Sequence, residues 1–185
     1  NDEFREWNPS KSKLAALILK GCPDIKIRKN DAVLYLGASY GTTPSHVSDI
    51  VGKDGFVFAL DFAPRVVRDL VFVARERKNI APILEDANKP ERYLDKVSKV
   101  DVLYQDIAQK NQLEVFLKNV RLFLKKNGFG LLAVKARSID VTKKPKDIFR
   151  QIRTSLEQEK DIVVVDYRTL EPFQMDHCMF VCKVR

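Results

Sequence analysis

The sequence predicts a three-layer, Rossmann-like α/β protein with a seven-stranded, mostly parallel sheet whose last strand runs antiparallel. Three observations carry that expectation. Short apolar runs alternate with longer amphipathic segments along the chain, the pattern of repeated βα units. The first five apolar runs are close to continuously apolar, as strands covered on both faces require. The last two runs follow one another with no helical segment between them, so a hairpin is the economical connection.

Residues 1–30 form an N-terminal segment that leads into the sheet and carries a helix over Ser12 to Leu19, with Gly21 just past its end. The first strand is Ala32 to Leu36, and Pro44 opens a helix that runs to Val51 and stops at Gly52. A strand over Phe56 to Leu60 precedes a helix from Pro64 to Arg77, again with proline at its start. Ala81 to Leu84 forms the third strand, Glu91 to Val97 a helix, and Val100 to Tyr104 the fourth strand. A helix over Gln112 to Lys125 ends ahead of Gly128, and the fifth strand is Gly130 to Val134. Pro145 to Gln158 forms the last helix, and strands Ile162 to Thr169 and Cys178 to Val184 close the chain, joined through LEPFQMDH. A chain of 185 residues fills one core and is short for two, so residues 1–185 read as a single domain.

Composition narrows the functional classes. With 45% hydrophobic and 31% charged residues the chain has the balance of a soluble globular protein, and no apolar run approaches the roughly 18 residues of a membrane span. The N-terminal NDEFREWNP has no signal-peptide pattern. The three cysteines, Cys22, Cys178 and Cys182, show no C-x-x-C spacing, so neither a zinc site nor a disulfide framework is indicated and no metal is expected. A reducing, intracellular compartment fits this usage. Thirty-three Lys and Arg against twenty-five Asp and Glu give a net charge of +8, a balance suited to meeting a polyanion such as RNA or DNA.

The stretch LYLGASYGTT, Leu34 to Thr43, is the richest in chemistry. A strand, a glycine turn and a helix start is where open α/β sheets bind nucleoside cofactors, because glycine admits a ligand to the backbone and the helix N-terminus offers free N–H groups. A dinucleotide fingerprint needs glycines where Ser39 and Thr42 stand, and a P-loop needs a lysine that is absent after Thr42. What remains is a G-x-S-x-G turn suited to a cofactor with an amino-acid tail and no phosphates, namely S-adenosylmethionine. A tight structural turn, or a hydrolase elbow with Ser39 as nucleophile, stands beside that reading.

Polar residues follow the apolar runs at the positions where a doubly wound sheet holds its ligand. Asp61 closes FVFALD, twenty-four residues after Gly37, where a carboxylate meets ribose hydroxyls; the alternative is a helix N-cap. Asp86 suits the exocyclic amine of adenine, with Ala87 leaving room for the ring, and Asp106 follows VLYQ. Lys135 ends GLLAVK, where desolvation favours the neutral amine and Asp106 on the neighbouring strand could orient it for proton transfer; a lysine reaching to water is the alternative. Lys11 and Lys13 lie at the first helix, and Asp176 and His177 in the last hairpin. His46 reads as structural.

The segments WNPSKSKLAALIL, LYLGASYGTTPSHVSDIVG, DANKP, DVLYQDIAQ, KARSIDVTKKP and EPFQMDHCMFV together resemble the fibrillarins, particularly the archaeal form, over nearly the whole chain. The resemblance implies the class I S-adenosylmethionine-dependent methyltransferase fold and transfer of a methyl group to ribose 2′-hydroxyls of rRNA and tRNA, directed by box C/D guide RNA in a ribonucleoprotein. It implies cofactor contacts from Gly37, Ala38, Ser39, Gly41, Thr42, Thr43, Asp61, Phe62, Asp86, Ala87, Asp106 and Gln109. It implies a catalytic set of Lys13, Asp106, Lys135 and His177, of which Lys13 and His177 rest on the resemblance. Implied partners are guide RNA and target RNA, a Nop-domain scaffold protein and a kink-turn-binding ribosomal-type protein, with no membrane and no metal. The location would be cytoplasmic in an archaeal cell and nucleolar in a eukaryotic one. Asp61 stands where the family often has Glu, and Tyr40 where it more often has a small residue. The family's β-rich N-terminal extension is expected to be absent, since six residues precede Trp7. Two other functions fit the same residues: a non-catalytic binding platform, and a stand-alone methyltransferase for another RNA or a protein glutamine.

Overall fold

The structure is a computed structural model that describes residues 3–185. Seven strands form one sheet in the order β3-β2-β1-β4-β5-β7-β6. In chain order they are β1 Ala32–Leu36, β2 Phe56–Asp61, β3 Ile80–Leu84, β4 Val100–Gln105, β5 Leu124–Lys135, β6 Ile162–Thr169 and β7 His177–Val184. The pairs among β3, β2, β1, β4 and β5 are parallel, and β7 is antiparallel to both β5 and β6. The expected hairpin therefore inserts its second strand between β5 and its first.

The helices are α1 Lys13–Leu19, α2 Thr42–Val51, α3 Pro64–Glu76, α4 Gln112–Phe123, α5 Ala136–Ile139 and α6 Pro145–Gln158. Alternation along β1 shows how they divide between the two faces, because successive side chains of a strand point to opposite sides. Val33 and Tyr35 belong to a core shared with α1, α2 and α3, while Leu34 and Leu36 pack in a core with α4 and α6. All four are buried, which explains why the run is apolar without interruption. Gly130 in β5 lets α4 lie close, since a Cβ there would meet Phe116 Cζ at 2.6 Å.

Several boundaries depart from the sequence expectation. The segment over 91–97 forms a single 3₁₀ turn, Pro90–Tyr93, rather than an α-helix. Its buried positions are Pro90 and Tyr93, three apart, which is the 3₁₀ period. The helix expected to reach Lys125 stops at Phe123, because Leu124 already pairs with Val100 and is 5% exposed. Helix α2 starts at Thr42, two residues before Pro44; proline is tolerated there because first-turn N–H groups have no helical acceptor. The short α5 was not foreseen. Among the described residues no helix is long and apolar enough to cross a membrane.

Buried polar groups fasten the elements together. Asn119 of α4 is fully buried, donates to the carbonyls of Ala87 and Val115 at 2.9 Å each, and accepts from the Tyr93 hydroxyl. Tyr93 in turn stacks on Phe123 with ring centres 5.3 Å apart. One amide thus holds the loop after β3 against α4. Asn119→Ala leaves the Tyr93 hydroxyl and the Ala87 carbonyl buried without that partner, so urea denaturation should show a loss of about 2 to 4 kcal/mol.

Candidate functional site

The carboxyl ends of the parallel strands gather the candidate residues on one edge of the sheet. Gly37 follows β1, Asp61 ends β2, Asp86 lies just past β3, Asp106 just past β4, and Lys135 ends β5. His177 begins β7 and stands directly opposite Lys135 in the antiparallel ladder. Strand direction alone accounts for this gathering, since β7 enters the sheet where β5 leaves it.

The glycine turn works through close backbone approach. Gly37 has φ +83°, and a Cβ there would lie 2.1 Å from the Asp106 carbonyl oxygen. No other residue type fits without displacing the end of β4. The N–H groups of Gly37 and Ala38 both donate to the Leu60 carbonyl at 2.9 Å, and the Ser39 N–H donates to Asp61 Oδ2 at 2.9 Å. Asp61 also accepts from the Ala63 N–H at 3.1 Å. Its carboxylate therefore braces the turn, while Ala63 is the residue that caps α3.

Two cavities open on either side of this junction. The first, about 320 Å³, is lined by Gly37, Ser39, Asp61, Phe62, Asp86, Ala87, Asp106 and Gln109, together with Leu60, Ile107 and Ala108. Phe62 is 67% exposed and offers a ring face to a planar base. The second cavity, about 490 Å³, shares Gly37, Ser39 and Asp106 and adds Lys11, Lys13, Tyr35, Ala38, Tyr40, Thr42 and Thr43. A nucleoside with an amino-acid tail matches two such spaces joined at Gly37 and Asp106. Of the expected cofactor residues, Gly41 lines neither cavity. It precedes α2 with φ +87°, and a Cβ there would press on Leu70 and Val73 of α3, so it serves helix packing.

Asp86 accepts from both the N–H and the side-chain amide of Asn88, at 2.9 and 3.0 Å. The Asn88 N–H, the largest influence, together with its side-chain amide holds the Asp86 carboxyl below the usual carboxylate range, against burial, which ranks between the two. Asn88 Nδ2 also donates to Gln109 Oε1 at 2.7 Å, so the two loops lining the first cavity are tied together.

Lys13 Nζ donates to Asp106 Oδ2 at 2.8 Å, with side chains 20% and 24% exposed. This differs from the expectation that Asp106 would orient Lys135. Nor is Lys135 desolvated: it is exposed at the end of β5, because its side chain leaves the sheet where the helical cover ends. Lys13, the first residue of α1, reaches Asp106 instead, with α1 sharing one buried core with Tyr35 of β1 and Tyr104 of β4. His177 is 9% exposed, and its Nδ1 lies 2.6 Å from the Met175 carbonyl. A carbonyl can only accept, so Nδ1 carries the hydrogen and Nε2 remains an acceptor. Burial lowers the His177 pKa, and Lys13 adds to that effect. The imidazole is therefore a neutral member of the cluster, not a surface turn histidine.

His46 is 7% exposed and stacks on Trp7 with ring centres 4.6 Å apart, the structural role the sequence suggested. Asn88, Gln105 and Gln112 were not singled out from the sequence. Gln105 and Gln112 are fully buried; Gln105, a polar residue closing an apolar strand, was the available signal. Among the described residues no group of three or more His, Cys, Asp or Glu side chains is placed to hold a metal ion. All three cysteines are free, and burial pushes the Cys178 and Cys182 thiols up to about 12.

Strand order, glycine turn and strand-end carboxylates together define a class I methyltransferase fold with a nucleoside-shaped site. The comparisons narrow the class. The family model described as Fibrillarin matches residues 1–185, and the chain belongs to that family. A fibrillarin-like rRNA/tRNA 2′-O-methyltransferase from Methanocaldococcus jannaschii is 54% identical over 181 residues, covering 98% of this chain and 78% of the relative. The structure of Aeropyrum pernix fibrillarin in complex with natively bound S-adenosyl-L-methionine superposes with a TM-score of 0.87 at 46% identity, over 96% of this chain and 77% of that one. A fibrillarin/Nop5p complex gives 0.94 at 44% identity, over 100% of this chain and 87% of that one.

Burial lowers the pKa of both histidines, reinforced by Lys13 at His177 and by Arg5 at His46. In the unfolded chain they titrate near about 6.5, so below that pH the unfolded state takes up more protons than the folded one. Stability should be greatest above about pH 6.5 and fall as the pH drops through that value toward the lowered folded pKa values. Thermal unfolding between about pH 7.5 and 5.5 should show this loss, and His177→Gln should flatten it.

Proposed function

We propose that the protein transfers the methyl group of S-adenosylmethionine to ribose 2′-hydroxyls of RNA, within a guide-RNA ribonucleoprotein. The observation that carries this reading is the meeting of the Lys13–Asp106 ion pair with the nucleoside-shaped cleft, at the edge where Lys135 and His177 stand opposite each other. It is supported by a chain that is 54% identical to a fibrillarin-like rRNA/tRNA 2′-O-methyltransferase, and by a relative that binds S-adenosyl-L-methionine.

The residues present fit that cofactor. Asp61 and Phe62 suit ribose and ring face, Asp86 and Ala87 the adenine edge, and Asp106 and Gln109 the methionine side, where Ser39, Thr42 and Thr43 border the second cavity. When bound, the sulfonium supplies an electrophilic methyl group. The protein's part is to position the acceptor hydroxyl in line and to manage its proton. The neutral His177 offers Nε2 as the acceptor for that proton, and Lys135 Nζ, a hydrogen-bond donor at the same edge, stabilises the oxygen as charge develops on it. Lys13 neutralises Asp106, so the carboxylate is held in one orientation beside the cofactor cleft.

Guide RNA pairing would choose the nucleotide, while this subunit reads backbone through its basic surface. A fibrillarin/Nop5p complex among the similar structures supports a Nop-domain scaffold as the docking partner, and a kink-turn-binding protein completes the proposed assembly.

Methyl transfer should be assayed with S-adenosylmethionine, guide RNA and target RNA, with and without the scaffold and kink-turn proteins. Lys135→Ala should lower turnover by about a hundredfold or more while calorimetry shows cofactor affinity little changed. Asp106→Ala should lose both activity and cofactor affinity. Undiminished methylation by Lys135→Ala in the assembled complex would remove Lys135 from the mechanism.

A further inference from the structure

We propose that Gln112 is a positioning residue that clamps the main chain of Lys135 to the cofactor loop, so that this lysine and the cofactor cleft are held as one unit. The inference rests on the proposed role of Lys135 and extends it to a residue that touches neither cofactor nor acceptor.

The need for a clamp follows from sheet topology. Strand β4 pairs with β5 only as far as Gln105 opposite Leu132. Beyond that point β5 keeps β7 on one side but has no strand on the β4 side, where a part-buried main-chain N–H and carbonyl lose their strand partners. Gln112, the first residue of α4, supplies both. Its Oε1 accepts from the Lys135 N–H at 3.1 Å, and its Nε2 donates to the Lys135 carbonyl at 3.3 Å. One side-chain amide thus takes the place of the missing strand.

The same amide reaches the cofactor loop. Gln112 Nε2 also donates to the Gln109 carbonyl at 2.9 Å, and the Gln112 carbonyl accepts from Gln105 Nε2 at 2.6 Å, one residue before Asp106. Gln109 is bonded in turn to Asn88, and Asn88 to Asp86. A continuous line of hydrogen bonds therefore runs from Asp86 to Lys135. Gln112 is its junction and is itself fully buried, so its amide depends on these partners.

Gln112→Met keeps the length and volume of the side chain and removes its hydrogen bonds. In the complex with scaffold protein and guide RNA, kcat should fall by about a hundredfold, as for an ångström-scale displacement of a reacting group. The KM for S-adenosylmethionine should change by less than about threefold, since Gln112 does not line the cleft. Independently of activity, exchange of the Lys135 amide hydrogen should accelerate by about tenfold relative to the β1 amides.

Gln112→Glu adds a pH signature. A protonated carboxyl keeps one acceptor and one donor, whereas the ionised form can only accept and would face the Lys135 and Gln109 carbonyls. The ratio of variant to native kcat should therefore fall as pH rises. A folded Gln112→Met protein with native kcat at saturating substrates, or with unchanged Lys135 amide exchange, overturns the clamp. Absence of methyl transfer by the native complex would instead overturn the proposed function, and amide exchange would still decide whether the clamp exists.

Discussion

The site depends on the contact between Gly37 and the end of β4. With no side chain at Gly37, the turn after β1 settles against the Asp106 carbonyl, where a Cβ would come within 2.1 Å. The Asp106 N–H meanwhile donates to the Leu36 carbonyl at 2.9 Å. These contacts bring the ends of two adjacent strands together and leave Asp106 facing both cavities. The rest of the site is assembled around that junction: Asp61 braces the turn through Ser39, and Lys13 closes on Asp106 from α1.

The polar groups at this edge are held by a lattice of amides and carboxylates rather than by the apolar core beneath. Core packing sets the strands side by side, yet Leu, Val and Phe contacts are non-directional and specify main-chain orientation weakly. Asn88, Gln105, Gln112 and Asn119 add the directional part. Asn88, Gln105 and Gln112 sit where the sheet or a helix ends and backbone groups lose their regular partners, while Asn119, inside α4, reaches across to the loop after β3. Asn119 binds the Ala87 carbonyl, Gln112 both main-chain polar groups of Lys135, and Asn88 two cofactor-cleft loops. Rigidity of this kind suits a reaction that asks the protein for alignment more than for chemistry of its own.

The element types were readable because burial on both faces of a strand writes a continuous apolar run, and helix starts and stops carry proline and glycine. Where burial was partial the reading slipped. The segment after Asn88 buries only Pro90 and Tyr93 within its turn, too little for an amphipathic helical face. The start of β5 hides among Lys125, Lys126 and Asn127, because that stretch is exposed while still strand. Strand-end acids were legible from their position after each run. Gln112 was not, since nothing local separates an amide that replaces a strand from one that meets water at a helix start.

The sequence by itself determined the seven strands and the helices α1 to α4 and α6 in their order, the glycine turn, and which acids and lysine would stand on the ligand edge of a doubly wound sheet. Those are consequences of local pattern and strand direction. Only the tertiary structure decided that Asp106 pairs with Lys13 rather than Lys135, that His177 is buried and neutral beside them, and that Gln112 carries the Lys135 backbone. The physical reason is separation along the chain. Lys13 and Asp106 are 93 residues apart, and a contact of that span is set by how strands are ordered and helices seated, which no local pattern encodes.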